Sequence, residues 1–242
     1  MAKLEISVEK TPSQKLSSFI LKNVFSVNIT HLPGTDFSKT VDAIKSVNDK
    51  AGRQVGIPHL AARNFINSLE LANGLKALEG EISEVLIIGG SNPVGQAFNY
   101  ADDVLTFINN EGYDLNSWCA VHPQLEKYEE VLKTKYKSKY VGGYNQLCLS
   151  PVLLSKWRSQ TRICIPTATS VSGLKKYMEL CGITGSFNYL LGNLNGILYL
   201  TSNGFDTKRF VKDINKFNSN RKQFHLYNFG KLDYTLGRLL DI

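Results

Sequence analysis

Eight times along this chain a short apolar run gives way to a segment with helical spacing, and that alternation limits the fold more than any other feature. The clearest unit runs from Glu84 to Asn110. Val85 to Ile88 is a continuous apolar run, as expected of a strand buried on both faces of a parallel sheet. Gly89 and Gly90 follow and let the backbone pass close to a neighbour. A polar loop, Ser91 to Asn99, carries Pro93 and Gly95. Ala101, Val104, Leu105 and Ile108 then recur at helical spacing, with Asp102 and Asp103 in the first turn, where carboxylates suit the helix dipole. Strand, glycine loop and helix make one βα unit, and ligands on such units sit at the strand's carboxyl end.

Further strands are expected at Leu4–Val8, Val24–Ile29, Gln54–Ile57 (ended by Pro58-His59), Leu115–Val121, Tyr140–Leu149, Arg162–Ile165 (stopped by Pro166) and Gln223–Tyr227. Helices are expected at Pro12–Leu21, from Thr35 or Asp36 to about Asn48, and at Asn64–Leu78, Gln124–Lys135, Pro151–Trp157, Ser170–Leu180 and Leu232–Leu240. Ile183–Phe217 reads as mostly helical. Eight βα units are the count of a closed (β/α)₈ TIM barrel of the α/β class; a doubly wound open sheet is the alternative. Nothing reads as a linker or a repeat, so one barrel domain over residues 1–242 is expected.

No apolar run approaches the roughly 20 residues that span a bilayer, and the N-terminal MAKLEISVEK does not read as a secretory signal. The four cysteines form no CxxC pair, which fits a reducing, cytoplasmic setting. The formal charge of +7 raises the question of nucleic acid. The lysines are scattered, however, apart from Lys133, Lys135, Lys137 and Lys139, and no nucleic-acid-binding motif accompanies them. A solvated basic surface, or a basic rim that attracts an anionic small molecule, is the reading kept.

In a barrel, residues just past the strands' carboxyl ends share one face. Here that set is Glu9; Asn28 to His31; His59; Gly90 and Ser91; His122; Gln146; Thr167 to Ser170; and Tyr227 with Asn228. Three of the four histidines fall in it, which points to a shared site. No metal is expected, because HxH and HExxH spacings are absent, and no GxSxG elbow appears. Glu9 ends the first strand; partial burial there would raise its pKa and suit it to general acid work, whereas full exposure would leave it an ordinary surface carboxylate.

A set of motifs then resembles, in order, the methylenetetrahydrofolate reductase family. ISVEKTP at Ile6 to Pro12 resembles its first-strand motif, with Glu9 at the family's glutamate. VFSVNIT, GIPHLAAR and LIIGGSNPVG resemble the next three strands, and NYADDVL the following helix start. His122-Pro123 sits where the family has His-Pro, and LKTKYKSKYVGGYNQ has its spacing to a strand-six glutamine, here Gln146. ICIPTATSVSGLKK and HLYNFGK resemble the last two strands.

The resemblance implies a barrel carrying FAD that reduces 5,10-methylenetetrahydrofolate to 5-methyltetrahydrofolate, or runs the reverse, with NADH or NADPH as donor. It implies that Glu9 protonates the folate N10 and opens the ring to an iminium, and that Gln146 hydrogen-bonds the pterin. Asn28, His59, Gly90, Ser91, Tyr100, Ala101, His122 and Lys135 would line the flavin, and Tyr227 and Lys231 the substrate. The implied partners are a tetrahydrofolate-type substrate and further copies of this chain as a homo-oligomer, without nucleic acid or membrane. The chain departs from the family at Ser91, where the family has a loop aspartate, and at Asn28-Ile29, where it has Thr-Tyr. Lys231 replaces an arginine-like position, and the strand-five segment is about two residues short. The serine removes a carboxylate that would tune the flavin. It leaves two other readings open: a barrel that binds a folate or another C1 carrier without redox work, and a reductase with a different electron donor.

Overall fold

A computed structural model describes residues 4–90, 97–121, 139–145, 148–155, 161–167, 169–170, 172–173, 198–201, 204–217 and 223–241. Eight strands pair in chain order and the last closes on the first, so the fold is the expected closed barrel and not the open sheet. The chain divides into two compact units, residues 7–146 and residues 147–242 with 1–6.

The first unit holds β1 (Glu5–Lys10) from Ser7 onward, α1 (Ser18–Asn23), β2 (Ser26–Ile29), α2 (Ser38–Ala51) and β3 (Gly56–Ala61). A 3₁₀ turn at Ala62–Asn64 leads to α3 (Ser68–Ala77), β4 (Glu84–Ile88), α4 (Ala101–Asn110), β5 (Asn116–Val121) and β6 (Tyr140–Asn145). Neighbouring strands are parallel, with Glu9 opposite Asn28, Asn28 opposite Ile57, His59 opposite Leu86, and Leu86 opposite Trp118. The register shifts at Ser117/Trp118, which sets Ala120 opposite Tyr144. The apolar run of β4 is buried at Val85, Leu86 and Ile87, as a two-sided strand must be.

Three expectations shift here for identifiable reasons. The first helix begins at Ser18, not Pro12: Ser17 Oγ accepts from Ile20 N at 3.2 Å, while Thr11 to Gln14 close a turn of their own. The third begins at Ser68 because Asn67 Oδ1 accepts from Glu70 N at 2.9 Å. The third strand runs on to Ala61, so Pro58 and His59 lie within it rather than beyond it. A parallel strand tolerates Pro58 because its φ suits extended backbone, and only one donor is lost.

Polar and close contacts fix the helices on the strands. Asn48 Oδ1 accepts from the Val55 and Gly56 amides, both at 2.9 Å, and its Nδ2 donates to Glu81 O at 2.7 Å. Glu70 accepts from the Phe37 and Ile66 amides, both at 3.0 Å. Gly74 gives α3 room to lie on Phe37, where an added Cβ would come within 2.3 Å of Cδ1.

The second unit holds α5 (Pro151–Ser155), β7 (Thr161–Pro166), β10 (Gln223–Tyr227) and α7 (Leu232–Leu240), with Cys164 opposite His225 in the parallel β7–β10 pair. Pro166 is the last residue of β7. Within the stretch expected to be mostly helical, Leu200–Thr201 and Gly204–Phe205 form a small antiparallel pair, β8 and β9. α6 (Thr207–Phe217) follows, seated by Tyr199, Phe205 and Phe210 in mutual ring contact. The sixth strand ends at Asn145, before the expected Leu149. The expected helix at 124–135, and all of the one expected at 170–180 except residues 170, 172 and 173, lie outside the described residues.

Candidate functional site

The carboxyl ends of β1, β2 and β3 bring Glu9, Asn28 and His59 together in the first unit. Parallel pairing sets Glu9 beside Asn28, and the pleat carries His59, two residues past the partner of Asn28, to the same face. Glu9 Oε2 lies 3.9 Å from His59 Nε2, with the histidine side chain 6% and the glutamate 24% exposed. Asn28 is fully buried, and Tyr144 reaches it with its hydroxyl 3.4 Å from Oδ1. Trp118 meets the Tyr144 ring edge-on at 5.5 Å.

Burial governs the charges. It pushes the Glu9 carboxyl up to about 7. Burial, reinforced by the charge of His31, drives the His59 imidazole down to about 3. At 3.9 Å without a hydrogen bond, attraction does not repay desolvation of both partners, so from mildly acidic pH to about 7 the pair is largely carboxylic acid and neutral imidazole. Such a carboxyl can give up a proton near neutrality. His59 Nε2 and Asn28 Nδ2 are buried with no hydrogen-bond partner among the described residues. Buried polar atoms in that state call for a partner, either a bound water or a polar ligand.

His31 stands behind this group, packed against Phe37 and Phe65 with ring centroids 5.2 and 4.7 Å away. Its Nε2 sits 3.2 Å from Thr35 O, and burial lowers its pKa. It has the surroundings of a structural histidine more than of a catalyst.

At the end of β4, Gly90 takes a φ of 79°, a left-handed conformation that favours glycine. A Cβ there would come within 3.2 Å of Asn64 Oδ1. Arg63 grips this turn: its amide and its Nε both donate to Gly89 O at 3.1 Å, and Nη2 donates to Gly90 O. Tyr100 is 71% exposed, and Ala101 opens α4 just behind it. The Asp103 carboxylate accepts from the Asn99 and Tyr100 amides at 2.8 and 2.9 Å, so the helix supplies its own anion there.

Tyr227 and Lys231 belong to the second unit. Tyr227 stacks on Phe229 at 5.7 Å, and its carbonyl accepts from Thr167 N. Lys231 has a φ of 48° and precedes α7, with its carbonyl accepting from Thr235. Ser91, His122, Lys135 and Gln146 lie outside the described residues.

Sequence reasoning missed Tyr144 and Arg63. Tyr144 occupies an ordinary strand position, and only its reach to Asn28, 116 residues away, gives it a place here. Arg63 directly follows the GIPHLAA run, but no local pattern said what it holds.

Among the described residues no group of three or more His, Cys, Asp or Glu side chains could hold a metal ion, and no helix is long and apolar enough to cross a membrane. No family model matches the chain. Among solved structures, a xylose isomerase-like TIM barrel/4-hydroxyphenylpyruvate dioxygenase fusion protein is similar over 93% of this chain, at 10% identity and a TM-score of 0.43. The match spans 38% of that protein's length. The fold class therefore rests on the chain's own strand order, a closed parallel barrel of the kind that is compatible with an enzyme.

Proposed function

We propose that this barrel is a flavin-dependent oxidoreductase acting on a methylenetetrahydrofolate-type substrate, with Glu9 as its general acid. The observation that carries the reading is the Glu9 carboxyl, held near pH 7 by burial at the end of β1 beside a neutral histidine. Opening the methylene bridge requires a proton at N10, and a carboxyl with a pKa near ambient pH suits that transfer. The ordered motifs of the sequence support the substrate class.

The residues present fit a heteroaromatic group rich in acceptors. His59 Nε2 and Asn28 Nδ2 are buried polar atoms without a hydrogen-bond partner among the described residues. His59, Asn28 and Gly90 would hold the ring, with Tyr100 and Ala101 nearer its substituents. The chemistry a flavin would supply there is hydride transfer from a reduced nicotinamide donor to the substrate carbon. Glu9 stores the proton and delivers it, while Asn28, steadied by Tyr144, fixes the orientation beside it. The neutral state of His59 keeps a second positive charge away from the cationic carbon that develops when N10 departs.

The test is an absorbance spectrum of the purified protein before and after NADH, followed by methylenetetrahydrofolate. A yellow protein bleached by NADH and reoxidised by the folate is expected. Ser91 favours one other reading, a barrel that binds tetrahydrofolate without redox work. A colourless protein that binds tetrahydrofolate and turns nothing over would select that reading and end the first.

A further inference from the structure

On the opposite face of β1 from Glu9, a cavity of about 560 Å³ opens between the strand's end, the turn after it, α1 and α2. Its size is that of a small-molecule site. Four lysines line it, Lys10, Lys15, Lys39 and Lys50, against one acid, Asp42. Leu16, Leu21 and Val47 supply an apolar wall.

Lys10 is the unusual member. It is only 4% exposed; its ammonium donates to the Pro12 carbonyl at 3.2 Å, and among the described residues no carboxylate pairs with it. Lysine is seldom buried without a counter-charge, because desolvation is then unrepaid. Burial and the nearby Lys50 charge together push this amine down to about 8. Structural lysines in such places acquire an aspartate or glutamate; this one faces a cavity and another lysine. An excess of cations around a half-apolar hollow recognises an anion with an apolar body.

We infer that the cavity bounded by Lys10, Lys39 and Lys50 is a binding site for a small organic anion, phosphate or carboxylate, separate from the Glu9–His59 site. The anion's charged group would complete the Lys10 ion pair beside Lys50, while Lys39, at the other end of α2, adds attraction at longer range. Its apolar part would lie on Leu16, Leu21 and Val47.

Calorimetric titration at constant ionic strength and pH 7 tests this, with phenyl phosphate as the probe and inorganic phosphate for comparison. The intact protein should bind one phenyl phosphate saturably, about tenfold more tightly than inorganic phosphate, because the ring buries apolar surface. Lys10→Met should weaken binding at least about tenfold, a charge-assisted contact being lost, while Lys76→Met on α3 leaves it unchanged. Should Lys10→Met fail to fold, the Lys39→Gln/Lys50→Gln double variant decides, with a similar loss expected. Absence of saturable binding, retained affinity without these lysines, or an equal loss in Lys76→Met would overturn the site. Equal affinity for the two probes would overturn its apolar half.

Discussion

Glu9 and Lys10 are consecutive residues at the end of one strand, and the pleat sends them to opposite faces. Each is an ionisable group in poor contact with water, and each is pushed toward its neutral form, Glu9 up to about 7 and Lys10 down to about 8. Their surroundings differ. Glu9 meets a neutral imidazole and a buried amide, a setting that keeps a proton ready for transfer. Lys10 meets a cavity and a second lysine, a setting that a bound anion would relieve. Similar burial thus favours a protonated carboxyl on one face and leaves a cation beside a second cation on the other, and what differs is the charge of the neighbours.

The largest way to break this contrast is Glu9→Gln. It should slow the folate half-reaction by about 10²–10⁴ while leaving NADH bleaching within a few-fold, as stopped-flow absorbance would read. Equal damage to both halves would remove Glu9 from the acid role.

Next comes the dependence of stability on pH. The Glu9 carboxyl has a raised folded pKa, so the folded chain holds more protons there than the unfolded one between 4.5 and about 7. Its contribution is full below that window and fades by roughly 3 kcal/mol as pH rises through it. His59 has a lowered folded pKa, so its contribution is present above 6.5 and lost as pH falls toward about 3. Between 4.5 and 6.5 the two oppose each other. Denaturant midpoints of Glu9→Gln should therefore rise with pH across that window more steeply than those of the intact chain. A parallel pair of curves would mean that Glu9 titrates normally.

On the other face the sign reverses. Lys10 binds fewer protons when folded between about 8 and 10.5, so stability rises with pH there. Lys10→Met should flatten that rise and, at pH 7, leave stability unchanged or increase it by about 1–3 kcal/mol, because an uncompensated charge is replaced by a methionine of similar length. A loss larger than about 1 kcal/mol would show that the Pro12 contact matters more than desolvation. The smallest effect belongs to Lys50→Gln, which removes the lesser of the two causes. The Lys10 amine, followed by NMR of labelled lysine, should move only part of the way back toward 10.5.

How much of this was legible beforehand depended on the range of the interaction. Strands four and ten and the helices after them could be read because Val85 to Ile88 and Gln223 to Tyr227 are bounded by local signals. The place of Glu9 near a strand end was readable, but whether it was buried or exposed was left open until the structure placed it beside His59. Pro58-His59 was misread as a terminator because a proline breaks pattern locally, whereas the sheet on either side holds the strand through it. Ser17 outcompeted Pro12 as a helix start because its hydroxyl reaches the Ile20 amide, which the spacing of apolar residues does not reveal.

The amino-acid order by itself determined the eightfold alternation, because periods of two and 3.6 are properties of neighbouring residues. It also determined that Glu9 would end a strand. Only the tertiary structure decided that burial would favour a neutral His59, that Tyr144 would reach Asn28, and that Lys10 would have no counter-charge among the described residues. A side chain's charge depends on the water removed around it and on the charges left nearby, and both come from segments far away in the chain.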